Sequence, residues 1–334
     1  MSENRRAVDC ENPYVEDYLS TNEGIRLAPR TVRTYRTMLV GYVRYLREQE
    51  ITVMEAELTD VIDFVEHCVR RGNRESTISG KLTAIGQLYR HIKLRMDTDA
   101  SPRVNPIEIE TIDVGRYRTP PPVKREALSR DEVRRLFDAM DCYRDRLLAV
   151  TAIETGLRNS DLRELRLQDI EYEELAVHVR DPKGSIPYDV PISEELAFEL
   201  EWWIENQRSG FATAASSQYI FPSQQSDRLE TNGSLNQIIK SAAERAGIQC
   251  IVGTSKVNSE PSGESGPYTR TMNWHRVTPH TLRHTYLTLL KDAGVPLSYR
   301  QLVANHTNPE TTRNYTHGGD DVFEVIRDKF EPPR

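Results

Sequence analysis

The stretch Pro279-His280-Thr281-Leu282-Arg283-His284-Thr285 opens a helix and sets two chemical groups beside each other at its start. Proline suits the first helical position. At about 100° per residue, Leu282, Tyr286, Leu289, Leu290 and Ala293 form one apolar stripe, and His280 and Arg283 lie off it, about 60° apart. A helix start attracts anions. There Arg offers a planar two-pronged fork and His a proton that moves near neutral pH, a pair suited to phosphate. Taken alone, the same residues also suit an ordinary helix with surface charges. His280 and His284 have the i, i+4 spacing of a zinc pair, but Thr281 stands where a zinc-protease helix carries Glu. No metal and no cofactor is expected.

Two further stretches flank this one. In Thr155-Gly156-Leu157-Arg158-Asn159-Ser160-Asp161-Leu162, Gly156 ends one helix and Asn159 or Ser160 can cap the next. Arg158 is therefore pinned on a tight turn, where its ordinary use would be to neutralise the carbonyls of the preceding helix. In His306-Thr307-Asn308-Pro309-Glu310-Thr311-Thr312-Arg313-Asn314-Tyr315-Thr316-His317, Asn308 caps, Pro309 takes the first position and Gly318-Gly319 stop the helix. Tyr315 falls in the last turn of this short helix, where an interfacial tyrosine with a wet hydroxyl is the common outcome.

The rest of the chain frames these stretches. Apolar spacing predicts a helix from Pro29 to about Glu48. A second, capped by Thr59 or Asp60, runs to Val69, and a third opens at Ser76 or Thr77. Residues 97–127, with Pro102, Pro106 and Pro120-Pro121-Pro122, read as a stiff extended connector. Ser129 with Glu132 is a capping box, and helices follow at about 143–155, 160–165, 193–208 and 232–246. Ala176–Arg180 and Ile186–Ile192 read as short strands around the turn 181–185. Residues 249–277 read as an irregular insertion or an extra hairpin, and helices resume from Pro279 to Phe330. The expected fold is mainly α: a helical bundle over 1–100, a proline-rich linker over 101–127, and a mostly helical α+β domain over 128–334 with a small β-hairpin or sheet.

Composition excludes several classes. The 334 residues are 37% hydrophobic and 28% charged, a globular balance, with no run long enough to span a membrane and no signal-peptide core. Cys10, Cys68, Cys142 and Cys250 are scattered without metal spacing, which fits a reducing cytoplasm. The net charge of −7 argues against a polyanionic partner until its distribution is examined. Residues 1–125 hold 20 basic against 19 acidic residues, and 126–334 hold 24 against 32. Gly24–Arg47 carries six arginines and no acid, and Arg70–Arg95 carries seven basic residues against Glu75. Basic runs usually mark a solvated helix face, but two on consecutive helices suit a nucleic-acid grip. Arg30, Arg33, Arg36, Arg74 and Lys81 are the candidates for it.

With Arg158, His280-x-x-Arg283, His306 and Tyr315 in this order, the whole chain resembles the tyrosine recombinases of the phage integrase family. The family places a lysine on a β-hairpin between the first Arg and the His-x-x-Arg helix. Lys183 sits on that turn and is the only lysine between Lys124 and Lys240. The family's usual Leu-Gly-His appears here as Ala304-Asn305-His306, and Asn enters left-handed geometry less freely than Gly. The hairpin also lacks the extra basic residues often seen after the lysine.

The resemblance implies strand cleavage by transesterification. Tyr315 would attack a backbone phosphate to form a 3′-phosphotyrosine and release a 5′-hydroxyl, with His280 as general base, Lys183 as general acid, Arg158 and Arg283 clamping the non-bridging oxygens, and His306 adding a hydrogen bond. It implies double-stranded DNA as partner, a C-shaped grip by the basic N-terminal helices, and a homo-tetramer on two sites. The apolar face of the last helix (Phe323, Ile326, Phe330) would dock on a neighbour or back on its own chain. A type IB topoisomerase-like relaxing enzyme and a catalytically inactive DNA-binding module on the same scaffold remain as alternatives.

Overall fold

The computed structural model describes residues 12–95, 101–123, 126–180, 186–259, 268–305 and 319–334. Two compact units emerge, the first running to Pro122 and taking in Ser259 and Tyr268, the second comprising Val123–Asn258 and Thr269–Arg334. Each has its own apolar core, and the two cores share no residue.

The first unit packs α1 (Pro13–Asn22), α2 (Pro29–Glu48), α3 (Leu58–Arg70) and α4 (Glu75–Arg95). Helix α2 has the bounds its apolar spacing predicts, and α1 is an addition. Asn12 caps α1 by accepting from the Tyr14 and Val15 N–H groups at 3.1 and 3.3 Å, with Pro13 at the first position. Helix α3 begins ahead of Thr59, because Glu57 and Asp60 form the capping box. Helix α4 likewise begins at Glu75, ahead of Ser76. Tyr42 and Tyr89 cross the core with hydroxyls 2.9 Å apart, and Tyr89 Oη donates to the Val53 carbonyl.

The stretch expected to be a bare linker departs from that expectation between 101 and 122. Val104, Ile109 and Val114 are buried in the first unit's core, and the short helix α5 (Pro106–Ile109) packs on α4. Asn105 caps it and Pro106 opens it, so this proline starts an element as well as stiffening the chain.

The second unit contains α6 (Arg130–Asp138), α7 (Tyr143–Thr155), α8 (Asn159–Arg163), α9 (Glu194–Trp202), α10 (Asn232–Arg245), α11 (Pro279–Asp292), α12 (Leu297–Val303) and α13 (Gly319–Lys329). Strands β1 (Ile170–Glu171), β2 (Ala176–Val179) and β3 (Tyr188–Pro191) form an antiparallel sheet with Ile170 opposite Val177 and Val177 opposite Val190. Strands β4 (Ile251–Ser259) and β5 (Tyr268–His275) form a two-stranded hairpin, which resolves the 249–277 insertion. Helix α9 continues as a π-helical turn over Trp203–Gln207, where buried Trp203 donates its indole N–H to Ile220 O at 2.9 Å. The central contact is α7 on α11, with Tyr286 lying against Gly156.

Helix α13 docks on its own unit. Val322, Ile326 and Phe330 are buried in the second core, Phe330 meets Tyr286 edge-on, and Arg327 donates to Glu174 O at 2.8 Å. Arg334 ion-pairs with buried Glu154 and donates to Ser193 Oγ at 3.0 Å.

Candidate active site

Gly156 ends α7 in a left-handed conformation, φ +60°, and the chain turns so that Arg158 takes the extended cap position of α8. The side chain does not serve the α7 carbonyls. Its Nη2 donates to Asn305 O at 2.8 Å, across the unit. From α11, Arg283 reaches the same place: Nη1 donates to Gly156 O at 2.6 Å and Nη2 to Ala304 O. Both guanidiniums therefore hold carbonyls just past the end of α12, two residues and one residue ahead of His306. Asn305 itself is left-handed, φ +44°, the geometry that glycine would take more easily.

Two buried groups complete this cluster. The Asp161 side chain is 2% exposed, with Oδ2 3.7 Å from Arg158 Nη1 and Oδ1 accepting from Ser160 Oγ at 3.0 Å. Burial raises its pKa, and the nearby guanidiniums oppose the shift. The Tyr188 phenol on β3 is pushed up to about 12 by burial first and by the Asp161 charge second, so it stays neutral. Burial and then the Arg158 charge lower the Arg283 pKa. Two guanidiniums facing one carboxylate leave an excess positive charge, which suits a bound anion. Arg158 Nη1 has no hydrogen-bond acceptor among the described residues.

His280 stands exposed at the second position of α11, whose start is fixed by the Thr278–Thr281 capping box and Pro279. Arg158, His280 and Arg283 line one open cleft of about 960 Å³. Asn232, Asn236 and Lys240 of α10 and the β4–β5 hairpin line the same cleft. Lys183, His306 and Tyr315 lie outside the described residues. Asp161 and Tyr188 were not among the candidates from sequence. The Arg-x-x-Asp spacing across a short helix could have pointed to Asp161, whereas nothing local marks Tyr188.

The sequence model of the phage integrase family matches residues 126–321, and that of the phage integrase N-terminal SAM-like domain matches residues 15–95. The chain belongs to the phage integrase family, the tyrosine recombinases. Among curated relatives, the tyrosine recombinase XerD of Yersinia pestis is 25% identical over 96% of this chain and 98% of its own. The tyrosine recombinase XerA of Pyrococcus horikoshii is 26% identical over 57% of this chain and 56% of its own. In fold, the chain is similar to the Tn1549 transposon integrase solved with a circular-intermediate DNA, at a TM-score of 0.62 and 16% identity, covering 94% of this chain and 98% of that one. It is also similar to a lambda integrase dimer bound to a COC′ core site, at 0.61 and 14%, covering 92% and 95%.

In this integrase the residues singled out for gripping DNA divide into two kinds. Arg30 and Arg33 are exposed on α2. Arg36 pairs with Glu16 of α1, and Arg74 is half-buried. Lys81 donates to Asn73 Oδ1 at 2.8 Å and Cys68 Sγ at 3.3 Å and lies 5.4 Å from the Phe64 ring, so it braces the bundle. No helix among the described residues is long and apolar enough to cross a membrane.

Proposed function

We propose that this integrase is a site-specific DNA recombinase that cuts and rejoins strands through a 3′-phosphotyrosine, with Tyr315 as nucleophile. The Tyr315 Oη–P bond forms as the P–O5′ bond breaks, so one phosphodiester replaces another and no energy source is required. Free tyrosine ionises near 10, so the phenol needs a base. His280 accepts that proton and returns it on religation. Lys183 protonates the departing 5′-oxygen. Arg158 and Arg283 clamp the non-bridging oxygens, where charge builds in the transition state, and His306 adds a donor. The observation that carries this reading is the meeting of Arg158 and Arg283 at the carbonyls of 304 and 305, beside His280 and at the foot of the segment bearing His306 and Tyr315.

The enzyme acts in the cytoplasm on chromosomal, plasmid or viral duplex DNA, as a homo-tetramer bringing two sites together. Its first unit grips phosphates through Arg30 and Arg33, with Arg36, Arg74 and Lys81 contributing less because each is partly engaged within the bundle. Relaxation of supercoils by a topoisomerase-like monomer is not favoured, given the family match over residues 126–321.

A nicked duplex that loses its short 5′-hydroxyl strand after cutting traps the intermediate. The wild-type protein is expected to form a covalent adduct with such DNA, and Tyr315→Phe to bind it without forming one. An adduct that persists in Tyr315→Phe removes the assignment.

A further inference from the structure

The β4–β5 hairpin forms one wall of the cleft that holds Arg158, His280 and Arg283. Ser255 of β4 and Met272, Asn273, Trp274 and His275 of β5 line that opening. The hairpin is fixed at its base. Arg276 N–H donates to Cys250 O at 2.9 Å, and the Gln249 amide and the Val277 backbone exchange two hydrogen bonds of 2.9 Å. The Arg276 guanidinium also forks onto Glu132 of α6 at 2.6 and 3.1 Å, and that contact holds the Glu132 pKa below its ordinary value. Across the two strands, Trp274 Nε1 donates to Ser255 Oγ at 3.0 Å. The wall is therefore braced rather than loose.

Its chemistry differs from that of the floor. The floor offers guanidiniums and an imidazole. The wall offers a thioether, an amide, a hydroxyl, an indole whose N–H is already used and the His275 imidazole, but no guanidinium. Met272 is 44% exposed, a large apolar side chain left at the edge of a cationic cleft. Contacts to phosphates and sugars fix position but carry no sequence information; base edges are read by side chains that meet them in a groove, an amide pairing with adenine and an apolar group with the thymine methyl among them. We propose that the β4–β5 hairpin, through Met272 and Asn273, contacts base edges beside the cut phosphate and selects the DNA sequence there. This rests on the strand-cutting reading above.

The test uses the full-length protein and a pool of nicked duplexes randomised around the nick, at several salt concentrations. Retained complexes and covalent adducts are sequenced separately. Met272 and Asn273 are exposed, so the double variant Met272→Ala with Asn273→Ala should fold, which its melting temperature checks. The expected result is roughly tenfold weaker discrimination at positions beside the cut, with an unchanged slope of affinity against salt. An unchanged base preference in the variant's retained pool overturns the inference, and so does a shallower salt slope with intact preference, which would make the hairpin a phosphate contact. Wild type that retains DNA but yields no adduct overturns the strand-cutting reading, and the hairpin is then judged on the retained pool alone. Wild type that retains nothing overturns both.

Discussion

A Cβ added to Gly156 would stand 2.2 Å from Tyr286 Cδ1, and φ there is +60°, so this position rejects a side chain twice over. Replacing Gly156 with Ala combines left-handed strain with overpacking against a fully buried ring and is expected to destabilise the second unit by about 2–4 kcal/mol. A calorimetric scan checks this, and a melting temperature equal to wild type contradicts it. Glu154, on the same helix as Thr155, is close enough to Tyr286 to act electrostatically on its phenol. Burial raises its pKa from 4.5 to about 7, against the pull of Arg334. A carboxyl held more tightly by its proton in the folded state loses stability as pH rises from about 4.5 to about 7, where it must ionise while buried. The melting temperature of Glu154→Gln should accordingly vary less than wild type across that window, and parallel profiles would exclude the effect. At this scale the sequence was a partial guide. Arg158, His280 and Arg283 each suit an ordinary helix end when taken singly and stood out only in order with His306 and Tyr315, and they share one cleft. Asp161 and Tyr188 did not stand out, because what makes them matter is burial beside two guanidiniums, and burial comes from elements distant in the chain.

Helix α2 shows how much an element's own periodicity decides. Its core residues Val32, Leu39, Tyr42, Val43 and Leu46 are buried. At 100° per residue, Arg30, Arg33, Arg44 and Arg47 fall within an arc of about 100° on another side. If that arc lies along a DNA backbone, Arg30→Ala with Arg33→Ala should lower the slope of log affinity against log salt by about 2, with similar losses on unrelated sequences. A slope that does not move, measured by salt titration of filter or mobility-shift binding, would place the grip elsewhere. The bounds of α2 and α7 and the Ser129–Glu132 cap of α6 were readable because caps and apolar spacing are local signals. The packing of 101–122 was not, since prolines that stiffen a linker and prolines that open short helices look alike until Val104, Ile109 and Val114 find α4.

For the whole molecule, two cores without a common residue imply two cooperative transitions. Ile109→Ala empties part of the first core and should lower one transition by about 2–5 kcal/mol while leaving the other in place. A single transition that shifts as one would show the units to be energetically fused.

Charge is also apportioned within the second unit. The groove beside α13 and β3 is lined by nine carboxylates, among them Glu173, Glu174, Asp189, Glu194 and Glu195, against the two cations Arg327 and Lys329, and it shares no residue with the cleft of Arg158 and His280. A body so polarised feels a torque in the field of a polyanion before it touches it. Approach by the wrong side is repelled, and raising ionic strength blunts that rotational bias along with the attraction, so productive encounters should decline faster than encounters overall.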